Sequence, residues 1–283
     1  MILIADSGST KTHWALVKSK YRAEQFESPG LNPYFNSDQE IETVVQKEVF
    51  PNIPEKLVDK VIFFGAGCSS AQNCHRVEDA LQQVCKSARI SILHDILGAA
   101  IATCGDQAGI TGILGTGSNS CLYNGKEITS VLPSFGYLYG DEGSGGWIGK
   151  HLLGAYLKET LPGELAEKFY NKYPMDLPEI LTNLYNKPRP NRFLARFTYF
   201  CSENMEHPFI RELLKEGFRE FFRNQITRHP GYEFVPVSFV GSIAFVFREL
   251  LHEVCNDFGV SVGKIIQNPI EGMIDYYTGK MDE

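Results

Sequence analysis

Two segments of this chain share one plan. Residues 2–17 read ILIADSGSTKTHWALV, and residues 110–123 read ITGILGTGSNSCLY. Each is an apolar strand, a turn of small polar residues, and a second extended run. A repeat of this kind at a spacing of roughly 110 residues reads as an internal duplication. It predicts two related α/β domains, 1–113 and 114–283, each a sheet covered by helices.

The rest of the pattern fits that plan. Residues 1–5 and 13–17 read as strands joined through DSGSTKT. Residues 37–50 have helical spacing, with Ser37 or Asp38 as the cap. Residues 60–64 and 90–93 read as strands, and 69–85 and 98–103 as helices; the last is small and apolar, suited to close packing. In the second half, 109–114 and 121–123 read as strands and 142–157 as a helix. Prolines at 162, 174, 178, 188, 190 and 208 cut the region 160–230 into helical pieces, an insertion in the second domain. Residues 234–240 read as a strand, 242–254 as one helix and 260–266 as the last strand. Pro269 suits the first turn of a final helix, which can pack back on the first domain.

Composition narrows the function classes. The chain has 43% hydrophobic and 22% charged residues and a net charge of −7, with no basic block. A nucleic-acid face is not expected. No apolar run approaches the roughly 18 residues of a membrane span, and no leader pattern opens the chain, so the expected location is cytoplasmic. The oligomeric state stays open, a homodimer included. Seven cysteines, with no CxxC pair, argue for reduced, buried thiols and against a disulfide framework or structural zinc.

The small-residue turns carry the chemistry. A phosphate chain needs several backbone N–H groups aimed at one place, and glycine with small hydroxyl residues allows the approach. In the first turn Gly8, Ser9 and Thr10 can do this, and Lys11 adds a positive charge. Asp6, at the strand end, can hold a hydrated Mg²⁺. In the second turn Gly115, Thr116, Gly117 and Ser118 offer a similar nest, with Asn119 in reach of a ligand. Each turn alone reads equally as a plain hairpin. Neither is a Walker loop, since GxxxxGK[ST] is absent. Asp95, at a strand end between the two turns, can accept a proton from a hydroxyl or simply cap a helix. His94 beside it reads as structural. GDEGSGGWIG, residues 140–149, has the glycine density of backbone packed on a ligand, although acids there also suit a helix start; Trp147 reads as core. Asn32, in PGLNP, is a turn residue or a donor to a sugar hydroxyl. Gly241 and Ser242, in VGSIA, open a helix that can admit adenosine.

Taken in order, DSGSTKT, His94-Asp95, GTGSNS, GDEGS and VGSIA resemble the actin-like ATPase and sugar kinase superfamily, and within it the N-acetylglucosamine kinases of the BadF/BadG/BcrA/BcrD type. The resemblance is strongest over 1–150. It implies two ribonuclease-H-like domains with a nucleotide cleft between them. It implies ATP with Mg²⁺ as cofactors, Thr10 and Thr116 at the phosphates, Gly241 and Ser242 at adenosine, and Asp95 as the base. Asn32, Asn119, Ser134, Phe135, Gly136 and Asp141 match positions that hold an amino sugar. Animal-type members carry tryptophan where Phe135 stands.

The implied reaction is phosphorylation of an amino sugar, N-acetylglucosamine first, at its 6-hydroxyl. An alternative within the wider family is an ATPase activator of a radical dehydratase with a bridging iron–sulfur cluster. That role needs placed thiolates; a GCG turn and a DIGGQD stretch are absent, and Cys68 in GAGCSS is the nearest thiol. A silent actin-like scaffold would have no need of Asp95.

Overall fold

The computed structural model of the chain describes residues 1–19, 21–53 and 58–280. They form two compact units. The first contains residues 1–107, 124–128 and the segment from Asn268 onward; the second contains 108–123 and 129–267.

The first unit is built on β1 (Ile2–Ser7), β2 (Lys11–Ser19), β3 (Arg22–Pro29), α1 (Asp38–Val44), β4 (Lys60–Gly65), α2 (Ala71–Val84), β5 (Arg89–His94) and α3 (Asp95–Cys104). Its sheet has the order β3-β2-β1-β4-β5. The short turns make β1, β2 and β3 antiparallel, whereas helical crossovers leave β4 and β5 parallel to β1. Strand β3 has no counterpart in the sequence reading. It is an edge strand with mostly exposed polar residues, so it lacks apolar alternation. Only Phe26 betrays it, stacked on Trp14 with ring centroids 5.9 Å apart.

Helix α1 starts where its cap predicts. Ser37 accepts from the Glu40 N–H and Glu40 accepts from the Ser37 N–H, a reciprocal capping box. The α-helical part is shorter than the spacing suggests, because Val45–Val49 widens into a π-type turn. One face of the sheet buries Leu3, Trp14, Leu16, Val61 and Phe63 in one core with Ile41, Val45, Val77, Leu81 and Val84.

The second unit contains β6 (Ala108–Leu114), β7 (Ser118–Asn124), β8 (Ile128–Val131), α4 (Gly136–Tyr139), α5 (Gly145–Leu157), α6 (Gly163–Lys172), α7 (Leu177–Tyr185), α8 (Pro190–Ala195), α9 (Thr198–Glu203), α10 (Pro208–Asn224), β9 (Val237–Val240), α11 (Ser242–Val246), α12 (Arg248–Asp257) and β10 (Val262–Ile266). Its sheet runs β10-β9-β6-β7-β8. Read from the other edge, this repeats the order of the first sheet. The insertion helices bury an aromatic-rich core in which Phe169, Phe197, Phe200, Phe218, Phe221 and Phe222 are almost fully enclosed.

Two sequence expectations shift here. The strand predicted over 234–240 begins only at Val237, since Tyr232–Phe234 forms a tight turn with Phe234 exposed. The single helix predicted over 242–254 is two, broken at Phe247, whose side chain is buried in the core. Last comes α13 (Ile270–Gly279), which belongs to the first unit and packs on α3, β2 and β1. The small residues of α3 permit this: a Cβ on Gly98 would lie 2.4 Å from Met273 Cε and 2.7 Å from Phe64. Among the described residues no helix is long and apolar enough to cross a membrane.

A buried polar chain ties the end of α10 to the second sheet. Ser120 Oγ donates to Gln225 Oε1 at 3.0 Å and lies 2.8 Å from His229 Nε2, while His229 Nδ1 lies 3.1 Å from Ser130 Oγ. An Nε2-protonated, neutral imidazole satisfies every member. Burial pushes His229 down to about 4 from an ordinary 6.5. As pH falls below 6.5 the unfolded chain takes the proton and the folded chain refuses it, so stability is lost between pH 6.5 and about 4. The loss is about 3 kcal/mol at 1.36 kcal/mol per pH unit. Denaturant unfolding at pH 7 and pH 4.5 checks it: His229→Gln should weaken the pH dependence, and equal slopes for the two proteins would count against this account.

Candidate active site

The predicted site residues fall into two sets, one in each unit. In the first unit, β1 and β2 are joined by a turn closed by the Gly8 N–H donating to Lys11 O at 2.9 Å. Ser7 Oγ lies 2.8 Å from Thr12 Oγ1 and accepts the Leu31 N–H at 3.0 Å. The segment after β3 is thereby held against the turn. Register sets this up, since Lys11 pairs with Pro29 and the next residue, Gly30, donates its N–H to Thr10 O at 3.1 Å. Gly30 has no room for a side chain. A Cβ there would lie 2.3 Å from Gly8 O, 2.7 Å from the Ser9 carbonyl carbon and 2.8 Å from Thr10 N.

Asn32 follows and is buried. Its Nδ2 donates to Ser9 Oγ at 2.7 Å and its Oδ1 accepts the Tyr34 N–H at 3.0 Å. The structure therefore joins Asn32 to Ser9 directly. Lys11 is turned elsewhere: its Nζ pairs with Glu27 Oε2 at 2.8 Å, with both side chains about half exposed.

Asp95 opens α3 directly after β5. Its Oδ1 accepts the Ile96 N–H at 2.8 Å and lies 2.7 Å from His94 Nδ1. This bond to Asp95 raises His94 above its ordinary value, against the effect of burial. A residue read as structural thus braces the candidate base; the adjacency of His94 and Asp95 was the available signal. Asp6 stands nearby on β1. Burial first, then the charge of Asp95, push Asp6 up to about 7. Among the described residues no cation is paired with Asp6.

In the second unit, the turn between β6 and β7 closes through the Gly115 N–H donating to Gly117 O at 3.0 Å. It is gripped by the start of α5, where Gly145 N–H donates to Gly115 O at 2.8 Å and Gly146 N–H to Thr116 O at 3.0 Å. The glycine density of GDEGSGGWIG therefore packs on the chain's own turn and on α8, where a Gly149 Cβ would meet Leu194 O at 1.9 Å. Trp147 lies in the core, 3.7 Å from the His151 ring.

Asp141 presses on the same turn. Its Oδ1 accepts the Ser118 N–H at 3.1 Å, and its backbone sits in the left-handed region at φ 57°. Burial raises its carboxyl above the ordinary value; the Ser118 N–H opposes this, Glu142 adds to it, and Lys150 opposes it. Asn119 turns its Oδ1 back to the Ser120 N–H at 2.9 Å. Ser134 and Phe135 are exposed, Phe135 by 63%, at the head of α4, and Gly136 begins that helix. The Gly140 N–H donates to Gly136 O at 2.8 Å, so this turn leads straight into Asp141. Gly241, at φ 122°, donates its N–H to Ile266 O and leaves no space for a Cβ, which would lie 2.3 Å from Leu114 O; Ser242 then starts α11.

Cys68 is buried, and burial pushes its thiol up to about 12, the opposite of a thiolate ready to bridge a cluster. Among the described residues no group of three His, Cys, Asp or Glu side chains is placed to hold a metal ion by itself.

No family model matches the chain. A Clostridium acetobutylicum protein, an N-acetylmuramic acid/N-acetylglucosamine kinase, is 27% identical over 235 residues, spanning 77% of this chain and 75% of its own length. The ROK family glucokinase of Streptomyces griseus, solved with glucose and AMPPNP, covers 97% of both chains at 13% identity and a TM-score of 0.61, a likeness of fold alone. A Porphyromonas gingivalis protein provisionally assigned as an N-acetylglucosamine kinase matches 99% of both chains, with a TM-score of 0.94 and 38% identity. Full-length agreement at that identity, on two sheets of one repeated strand order, settles the kinship: the chain belongs to the N-acetylglucosamine kinase family, with the α/β fold of the actin-like ATPases and sugar kinases.

Proposed function

We propose that this protein transfers the γ-phosphoryl group of ATP to an amino sugar, with N-acetylglucosamine as the lead acceptor and its 6-hydroxyl as the nucleophile. One observation carries the reading: Asp95, fixed at the end of β5 by the Ile96 N–H and His94, beside Asp6. Kinship with proteins named for the same sugar supports it.

Asp95 accepts the proton of the attacking hydroxyl as that oxygen bonds to phosphorus and ADP departs. The turns at Gly8–Thr10 and Gly115–Gly117 supply N–H groups to phosphate oxygens, and Gly241 with Ser242 lies at adenosine. Lys11 reaches phosphate only on leaving Glu27. Asn32, Asn119, Asp141 and the Ser134–Gly136 stretch hold the sugar.

The site chemistry fits Mg²⁺. Burial first, and then the charge of Asp95, push Asp6 up to about 7, so its carboxylate is costly without a cation, and Mg²⁺ favours one or two carboxylates plus water and phosphate. Asp6 would hold it, and the ion would offset charge on the phosphate oxygens.

A coupled ADP-release assay with MgATP against a panel of amino sugars and hexoses tests the proposal. ADP release should depend on sugar, N-acetylglucosamine should give the highest kcat/KM, and its product should carry phosphate on O6. ADP release that no sugar stimulates would defeat the reading.

A further inference from the structure

Helix α2 contributes none of the residues placed at substrate or phosphate above, yet it holds the segment that carries Asn32. Arg76 aims its whole guanidinium into that segment. Its Nη1 donates to Pro33 O at 2.6 Å, its Nη2 donates to Asn36 O at 2.7 Å, and its Nε donates to the Asp38 carboxylate. Two of these acceptors lie in the turn that follows Asn32, and the third is the first residue of α1. A planar fork of donors in fixed geometry suits such a set, and a lysine ammonium cannot reproduce it.

The loop clamped this way ends on Asn32. Asn32 O accepts the N–H groups of Phe35 and Asn36, each at 2.9 Å, and Asn32 N–H donates to Asn36 Oδ1 at 3.2 Å. The opposite end of the Asn32 side chain donates to Ser9 Oγ in the first phosphate turn. A second tie runs from α2: Asn73 Nδ2 donates to Gly67 O at 2.9 Å. Gly67 in turn packs on Asn32, since a Cβ there would lie 2.3 Å from Asn32 Oδ1. Tyr34 and Phe35 remain 65% and 45% exposed, so burial of these two side chains does little to fix the loop. Its shape depends on hydrogen bonds, and Arg76 supplies three of them.

We infer that Arg76 is a positioning residue for the acceptor sugar, acting through the 33–38 loop to set Asn32 against the first phosphate turn. The inference rests on the kinase reading above. It assigns Arg76 no contact with substrate. It predicts a selective effect, because the first turn has its own supports, from Gly30 N–H to Thr10 O and from Leu31 N–H to Ser7 Oγ. Loss of the clamp should therefore loosen the sugar side before the ATP side.

The experiment is steady-state kinetics on wild type, Arg76→Met and Arg76→Lys with N-acetylglucosamine and MgATP, beside thermal melts of all three. Arg76→Met should raise KM for the sugar about tenfold, with kcat and KM for ATP each within about twofold of wild type, the mark of lost positioning in binding. Arg76→Lys should recover only part of the loss. A lower melting temperature with both KM values unchanged would overturn the inference, as would equal rises in both. A destabilised Arg76→Met does not blur the outcome, because the two KM values are compared within one protein and Arg76→Lys keeps the charge and most of the stem. If wild type shows no sugar-dependent turnover, the kinase reading fails and the positioning role falls with it. If wild type responds to sugar and the variants match it, the positioning role fails alone.

Discussion

Replacing Asp95 with asparagine should lower sugar-dependent turnover by about 100-fold or more, the low end of a general-base contribution, while leaving ATP affinity near wild type. The substitution is close to isosteric. An asparagine Oδ1 can still accept the Ile96 N–H that Asp95 accepts at 2.8 Å, so the start of α3 should survive. What disappears is an anionic oxygen able to take the hydroxyl proton. The contact with His94 weakens as well, because its imidazole would face a neutral amide 2.7 Å away in place of a carboxylate. The measurements are kcat with saturating N-acetylglucosamine and a separate ATP titration by calorimetry. Turnover within tenfold of wild type would remove Asp95 from the role of base. Joint loss of turnover and ATP binding would mean that the substitution had disturbed the site rather than the proton transfer.

Gly30→Ala is expected to weaken ATP binding at least about tenfold, or 1.4 kcal/mol. The reasoning is steric and local. The added Cβ would lie 2.3 Å from Gly8 O and under 3 Å from two further backbone atoms of the turn. Backbone cannot swing aside as a flexible side chain can, so Gly8–Thr10 must move or β3 must peel from β2. Overpacking of this kind costs about 1–3 kcal/mol of stability, and a displaced turn no longer presents its N–H groups to one point. Gly163→Ala is the control, since a Cβ there meets nothing within 4 Å. ATP affinity and melting temperature both unchanged in Gly30→Ala would show that the turn tolerates the intrusion and that its geometry does not set the phosphate site.

The sequence carried much of this because strands and turns write themselves locally. The apolar runs of β1, β4 and β6 were legible from residue type, and so were the small-residue turns that follow β1 and β6. Ser37 and Asp38 were both legible as caps of α1, and the reciprocal bonds with Glu40 decided for Ser37. Strand β3 was not, because an edge strand buries little and RAEQFESP shows no alternation. The break at Phe247 was not, because helical spacing continues through it while the side chain turns into the core.

At the candidate site the division is sharper. Asp6, Asp95 and Gly115 could be put forward from residue type and position, whereas Asp141 entered only through the family resemblance. The glycine density of 140–149 pointed to a ligand in the sequence reading, yet the backbone packs on Gly115, Thr116 and α8. Lys11, read as a phosphate contact, is paired with Glu27 across the β2–β3 hairpin.

By itself the sequence determined the repeated strand–turn–strand plan, its α/β class and the residue types at the two small-residue turns, since these depend on neighbours along the chain. Only the tertiary structure decided that Gly30 presses on the first turn and that Arg76 clamps the loop of Asn32. The physical reason is register. Pairing Lys11 with Pro29 brings Gly30 within collision distance of Gly8, and the packing of α2 beside the 33–38 loop brings a guanidinium to three acceptors. No periodicity in the chain records such meetings, because they follow from how the elements pair and pack.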